Sequence, residues 1–340
     1  MPTAVAADLN WKFLTELYKK APVENFFLTD KLAKRKVFSH MPKVVVRTEE
    51  RAMTVATLGK PGDPAKPINI SHNVTEMALE PVQIFEYDMI TEEDVFTNAN
   101  PAVFVAESAQ SIINNKNYIR GMKLEGLKRR VARRIELMLA QLASEGKITY
   151  NDGVRNIEVD FNVSAENYSL TSTTDVYKDL LDIADEIRKK GHAPNLILVS
   201  PDVEKALLNN TKVEKYINKQ GFNLAVMRME NYPNARAVIE LKGLPTFYVY
   251  FGEYVDESGN VKSYIPDGKI IVLSTEVFRL GYGAIVNFKV DKNGNPIMTD
   301  VIVYEDIVND GNAKALYVLS KPLPYILNAG AMKILNVTIS

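Results

Sequence analysis

Histidines, glycine-rich turns and acidic runs are the groups in this 340-residue chain from which a reactive site could be assembled. His40, His72 and His192 fall in three separate segments, with neither the HExxH pattern of a zinc hydrolase nor a nearby carboxylate at a useful spacing. No G-x-S-x-G elbow is present to expose a nucleophilic serine. The stretch LGKPGDPAKP superficially resembles a phosphate loop, but it lacks GxxxxGK[ST], and its prolines remove the amide donors that a phosphate needs. Gly281-Tyr282-Gly283 is too short to be a dinucleotide fingerprint, and Glu92 to Val95 lacks the spacing of an EF-hand calcium loop. With no cysteine, disulfides and thiolate metal sites are excluded. The expectation is a protein without catalytic residues, metal or cofactor.

Charge is balanced overall, 41 Lys and Arg against 42 Asp and Glu, so bulk electrostatics do not mark the chain as a polyanion binder. MPTAVAADLNWKFL lacks the basic and apolar regions of a signal peptide, and no apolar run is long enough to span a bilayer. The chain reads as soluble, with no membrane partner. Along the chain the charge is uneven. Between Lys66 and Lys116 there is no Lys or Arg, while Glu76, Glu80, Glu86, Asp88, Glu92, Glu93, Asp94 and Glu107 lie there. Arg120, Lys123, Lys128, Arg129, Arg130, Arg133 and Arg134 follow. An acidic block next to a basic one suggests that the two meet, within one chain or between copies.

The basic stretch is a helix by its periodicity. Leu124, Leu127, Val131, Ile135, Met138 and Leu142 recur at steps of three and four, which places Arg129, Arg130, Arg133 and Arg134 on the opposite side. The helix is expected to run from about 112 or 118 to 144, with Gly146 ending it. No aromatic residue is interleaved with the arginines, so base stacking is unsupported. The face is open to a neighbouring subunit or to non-specific contact with nucleic acid.

Around this helix the chain divides into recognisable pieces. Residues 1–42 read as an arm, with a short helix whose stripe is Leu9, Phe13, Leu14 and Leu17, followed by irregular chain with bulky anchors. VVVRTEERAMTVATLG and INISHNVTEMALEPVQIFEYDMI read as long strands of a hairpin with a Pro/Gly tip. Two strands cannot bury enough surface alone, so the hairpin must lie on its own domain or on a neighbour. KITYNDGVRNIEVDF is a hairpin turning at Asn151-Asp152-Gly153. An α/β unit follows: an amphipathic helix with Val176, Leu180, Ile183 and Ile187 inward, the buried strand NLILVS, and Ser200-Pro201 as N-cap and N1 of the next helix. Long strands close the chain, one pair being expected around Asn293-Gly294.

Five segments in this order resemble the lambda-type (E family) major capsid protein of tailed bacteriophages. They are FFLTDKLAKRKVFSHMPKVVV, EPVQIFEYDMITEEDVF, RRIELMLAQLASEGKITYND, YVYFGEYVDESGNVKSYIPDGKIIVLSTE (with YIPD at Tyr264 to Asp267) and SKPLPYILNAGAMKILNV. The resemblance implies an α+β fold of the Hong Kong 97 type. Residues 1–42 would be the N-terminal arm and 43–80 the extended hairpin, or E-loop. Residues 81–160 and 270–320 would form a peripheral domain around the spine helix, and 161–269 with 321–340 an α/β axial domain. It further implies self-assembly through pentamers and hexamers into an icosahedral phage head enclosing double-stranded DNA. Portal, a separate scaffolding protein and a decoration protein would be partners, with the virion as final location and host cytoplasm as site of assembly. Under this reading Lys60, Asp63 and Lys66 at the E-loop tip touch a neighbouring subunit. The arginine face meets a neighbour or DNA, and Glu76, Glu80, Glu86 and Asp88 are its acidic partners. An encapsulin-like nanocompartment shell shares the fold, and an α/β enzyme of unknown type is the reading from a different class.

Overall fold

The computed structural model describes residues 11–50, 73–91, 93–94, 109–151, 156–219, 232–237, 241, 243–256, 258–308, 311 and 313–340. The chain enters through helix α1 (Trp11–Lys20), helix α2 (Phe27–Leu32) and a short strand β1 (Lys36–Phe38). The segment expected to be irregular is therefore a helix and a strand. Phe27, Leu28 and Leu32 are buried in the main core, and that packing stabilises a six-residue helix that could not persist alone. On α1 the inward stripe is Leu14, Thr15 and Tyr18, and Phe13 is 55% exposed instead of buried. Leu9 lies outside the described residues.

Strands β2 (Val44–Glu50) and β3 (Asn73–Leu79) pair antiparallel, from Val44↔Leu79 to Glu50↔Asn73. The hairpin tip, with Lys60, Asp63 and Lys66, lies outside the described residues. The expected second strand breaks at Glu80-Pro81, where proline has no amide for a ladder, and resumes as β4 (Ile84–Thr91). Helix α3 (Ala109–Glu145) is longer than expected, 37 residues or about 55 Å at 1.5 Å each. Gly146 ends it at φ +71°, where an added Cβ would lie 2.6 Å from Val163 Cβ.

Next come β5 (Lys147–Asn151), β6 (Asn156–Asp160), β7 (Ala165–Leu170), α4 (Val176–Lys189), β8 (Leu196–Val199), α5 (Pro201–Leu208) and α6 (Thr211–Lys219). The expected turn of the β5–β6 hairpin at 152 and 153 lies outside the described residues. Then follow β9 (Ala235–Ala237), β10 (Phe247–Tyr250), β11 (Glu253–Val255), β12 (Val261–Ser263), β13 (Lys269–Leu273) and β14 (Phe278–Tyr282). The chain closes with β15 (Ile302–Val308), β16 (Ala313–Ser320), β17 (Pro322–Ile326) and β18 (Met332–Ile339).

A six-stranded sheet, ordered β7-β18-β13-β8-β10-β9, lies at the junction of two cores. Ile197, Val199, Phe247, Val249, Ile270 and Val272 face α4–α6. Their alternates Leu196, Leu198, Tyr248, Tyr250, Ile271 and Leu273 belong to the core that α2 and α3 fill. Burial on both faces is why NLILVS and KIIVLS are continuous apolar runs. β13 lies between β18 and β8, so the domain division expected at 269/270 would cut into an interior strand; the α/β unit continues to Leu273. β17, expected with that unit, pairs instead with β14 in the sheet β1-β14-β17.

A third sheet, β15-β16-β4, carries α1 and α3 on one face. Its hairpin is β15–β16, whereas Asn293-Gly294 sits in a loop with a single bridge, Ile285↔Ile297. Turn bonds from Val290 and Asp291 to Asn287, and from Gly294 to Asp291, occupy donors that a ladder would need. Ser200 stands at the N-cap of α5, but its hydroxyl is turned to the backbone of Lys269, linking α5 to β13. No described helix is long and apolar enough to cross a membrane.

Candidate functional site

The hairpin β2–β3 is anchored at its root by a segment distant in sequence. β1 lies parallel to β14, with Leu280 N donating to Arg35 O (3.0 Å), Ser39 N to Tyr282 O (2.9 Å) and Ala284 N to Met41 O (2.9 Å). Beyond this seam the root passes so close that a Cβ on Gly281 would sit 2.8 Å from Val44 Cγ1, and one on Gly283 2.7 Å from Pro42 O. The Gly-Tyr-Gly run is thus steric in purpose: Gly281 leaves room for the Val44 side chain, and Gly283 for the backbone of Pro42. Val44 and Val46 are buried, while Val45 and Arg47 point outward. Arg47 pairs across the hairpin with Glu76 at 2.6 Å.

The basic face of α3 is engaged within the chain. Arg130 bonds Glu86 of β4 through Nε (2.6 Å) and Nη2 (3.1 Å), which holds the guanidinium above its ordinary pKa. Arg129 pairs with Glu125 one turn back, and Arg133 with Glu24 of the arm at 3.1 Å. Lys123 reaches both Asp88 and Asp94 at 3.2 Å. Lys128 donates to Lys19 O (2.7 Å) and Ala21 O (2.6 Å), so it fastens the end of α1, and burial pushes its ammonium down. Of the expected acidic partners, Glu86 meets the arginine face, Asp88 meets Lys123, and Glu76 belongs to the hairpin. Glu80 is exposed and offers its carbonyl to Tyr150 (3.3 Å). These pairs are half-exposed, so a double-mutant cycle on Arg130→Ala and Glu86→Ala should give a coupling of only about 0.2–1 kcal/mol that fades with salt.

Arg130, Arg133 and Arg134 line one wall of an open groove of about 1110 Å³. Glu24, Glu86, Glu253 and Asp256 line it too, so the arginines do not make it cationic. Asp256 bonds Lys262 and the amides of Ser258 and Asn260, and is held down to about 2, the Lys262 bond being the largest cause.

On the same helix, and not among the residues that line the groove, is one that the sequence pattern does not single out. Glu136 is completely buried, because α3 sheds its amphipathic character there: Ile135, Met138, Leu139, Ala140, Leu142 and Ala143 are buried around it. Its Oε1 accepts from Leu28 N (2.9 Å) and Tyr250 OH (2.8 Å), and its Oε2 from Thr29 N (2.8 Å) and Thr29 Oγ1 (2.7 Å). One carboxyl thereby ties the arm, the long helix and the six-stranded sheet together. A glutamate in a helical run gives little sequence signal of this: it lies on the side of Arg129 and Arg133, and its only hint is that Leu139, Ala140 and Ala143 follow it at steps of three, four and seven.

Among the described residues no group of three or more His, Cys, Asp or Glu could hold a metal. His40 is exposed and His192 half-buried, and His72 lies outside the described residues. What the geometry offers is a set of anchored extensions around a two-faced sheet. The same fold is found in a solved prophage capsid protein from Escherichia coli CFT073, at TM-score 0.68 and 14% identity, covering 98% of this chain and 100% of that one. A structure from Gordonia phage Cozz matches at 0.50 and 12%, covering 94% and 89%. The capsid of cyanophage P-SCSP1u matches at 0.50 and 10%, covering 94% and 90%. The fold is thus that of bacteriophage capsid shells. The family described as phage major capsid protein E matches residues 11–337, and the chain belongs to it. No curated protein sequence matches the chain. It is a structural protein of the phage head, self-assembling into the shell of the virion.

Proposed function

We propose that copies of this chain associate head to tail into pentamers and hexamers, which close an icosahedral head around double-stranded DNA. The supporting observation is the β2–β3 hairpin, a ribbon that is held rigidly at its root and pairs with no third strand among the described residues. Such a ribbon is stabilised by lying on another surface, and a heterologous contact of this kind closes into rings. In this reading α4–α6 and the six-stranded sheet form the axial domain. Helix α3, the hairpin β5–β6 and the sheet β15-β16-β4 form the peripheral domain, and β2–β3 is the E-loop. Lys60, Asp63 and Lys66 touch the adjacent subunit.

The arginine face serves the protein, not the DNA. Arg129, Arg130 and Arg133 already have carboxylate partners, so few charges remain to release counterions from phosphate. Contact with packaged DNA is non-specific. Portal, a separate scaffolding protein and a decoration protein are the further partners, and assembly takes place in the host cytoplasm before DNA enters. No catalytic step is assigned. The encapsulin-like alternative shares the fold, and the match over residues 11–337 to a phage capsid family favours the DNA-filled head.

Negative-stain electron microscopy of the concentrated protein, beside size exclusion, tests this. Closed shells, tubes or rings of five or six are expected. Reversing the tip charges together (Lys60→Glu, Asp63→Lys, Lys66→Glu) should leave the subunit folded and lower assembly yield at least tenfold. A small species that persists with crowding agent and scaffold supplied would overturn the shell assignment.

A further inference from the structure

Asn293 is the one asparagine of the chain that precedes a glycine. An asparagine side chain can be attacked at Cγ by the backbone nitrogen of the next residue, and glycine favours this because no Cβ hinders ring closure. The other asparagines of the same loop are poorly placed for that step. Asn295 precedes Pro296, whose nitrogen carries no hydrogen to give up. Asn287 precedes the bulky Phe288, and its Oδ1 already accepts from Lys289 N (2.9 Å). Asn293, by contrast, is exposed, and its carboxamide has no partner among the described residues.

The nucleophile is held back by the turn. Gly294 N donates to Asp291 O (3.0 Å), Asn293 N to Asp291 Oδ1 (2.9 Å) and Asn295 Nδ2 to Asp291 Oδ2 (2.9 Å). The Asn295 bond first, and the Asn293 amide after it, keep the Asp291 carboxyl below its usual range, so it stays an ionised acceptor. Gly294 N must leave Asp291 O before it can lose its proton and aim its lone pair at Cγ. We propose that Asn293 is a site of spontaneous deamidation, at a rate set by the opening of the turn 291–294. Gly294 N bonds to Asn293 Cγ, ammonia leaves with the proton that Gly294 N gave up, and water opens the cyclic imide to aspartate or isoaspartate. One water enters and one ammonia is lost, with no change of oxidation state.

The consequence lies in what the loop covers. Ile285 and Ile297 bond each other through both amides (3.1 and 2.9 Å), and Ile285, Val290 and Ile297 pack with Ile302, Tyr304 and Leu319 of the sheet β15-β16-β4. Isoaspartate lengthens the main chain by one methylene and sets a second carboxylate near Asp291. The longer backbone cannot keep the turn bonds in register, and the hold of the loop on the sheet loosens with them. Subunits of a finished shell are not replaced, so each conversion persists.

The test holds the full-length subunit at mildly alkaline pH and physiological temperature, natively and in denaturant, and follows each asparagine by proteolysis and mass spectrometry. Asn293 is expected to convert at least tenfold faster than any other asparagine, with isoaspartate in excess over aspartate. The native rate should fall below the denatured rate by the factor that protects the Gly294 amide from hydrogen exchange, because both reactions wait on the same local opening. Asp291→Ala removes two of the three bonds, and it should raise exchange at Gly294 and conversion at Asn293 by the same several-fold factor. In converted protein the Ile285 and Ile297 amides should exchange faster. Asn293→Asp adds the charge without the methylene and should disturb them less. A native Asn293 that stays intact while the denatured chain converts, or another asparagine that converts first, would overturn the site. A native rate equal to the denatured one, with Gly294 protected, would overturn the gating by the turn. The measurement reads the subunit itself, so its failure leaves the shell assignment untouched.

Discussion

Glu136→Ala should destabilise the subunit by about 4 kcal/mol, because four donors lose their acceptor and each unmet buried donor costs about 1–3 kcal/mol. The donors are Leu28 N, Thr29 N, Thr29 Oγ1 and Tyr250 OH, and of these residues only Thr29 is part-exposed and so placed to recover part of its loss from solvent. For a chain of this length the melting temperature would fall by roughly 6 °C. Glu136→Leu should be no better, since it fills the volume and still leaves the donors unmet. Glu136→Gln should lose about half as much, as it keeps one acceptor oxygen and offers Nε2 hydrogens to Tyr250. Thermal melts of the three variants check the order. An alanine variant as stable as the native chain would mean that the arm repacks without its anchor.

Gly283→Ala should misplace the E-loop while leaving most of the fold intact. Its Cβ would lie 2.7 Å from Pro42 O and 3.2 Å from Pro81 Cγ. The first obstacle is backbone, which cannot rotate away as a side chain can. Overpacking of this kind costs about 1–3 kcal/mol, and the strain falls on both ends of the hairpin, since Pro42 leads into β2 and Pro81 follows β3. A root displaced by a few tenths of an ångström is amplified along the hairpin, so the larger effect should be on assembly. We expect a subunit with native circular dichroism and a melting temperature lower by roughly 3 °C, yet closed shells reduced by an order of magnitude or more. Gly311→Ala supplies a control: nothing lies within 4 Å of its Cβ, but its φ of +99° gives the substitution a purely local backbone cost. It should lower stability without disturbing the hairpin root. Equal assembly yields for the two variants would remove the root from the mechanism.

Much of the architecture was legible because it is written in local periodicity. The stripe from Leu124 to Leu142 identified the long helix and its inner face, and each member of it is buried. The apolar run LILV announced a buried strand, and the proline and glycine clusters marked chain reversals. The five segments resembling E-type capsid proteins supplied what periodicity could not, the order in which these pieces assemble. Where local reading failed, the competing term was tertiary. Residues 26–38 have no pattern that outweighs an irregular reading, and they become α2 and β1 because Phe27 and Leu28 find a core and Lys36 to Phe38 find the edge of β14. Asn293-Gly294 is a strong local turn signal, but its flanks spend their amides on turn bonds, and the real hairpin forms between β15 and β16.

By itself, then, the sequence determined which residues are helix, strand or turn wherever a period of 3.6 or 2 persists, that no constellation for common enzyme chemistry is present, and which family the chain resembles. The tertiary structure decided the rest. It gave Arg130 and Arg133 to Glu86 and Glu24, made Gly281 and Gly283 the seat of a hairpin root, and turned Glu136 into the anchor of the arm. These are relations between residues 44 to more than 200 positions apart, and each depends on a distance of a few tenths of an ångström. Periodicity reports which face of an element is apolar; it carries no record of the neighbour against which that face, or one glutamate away from it, will finally close.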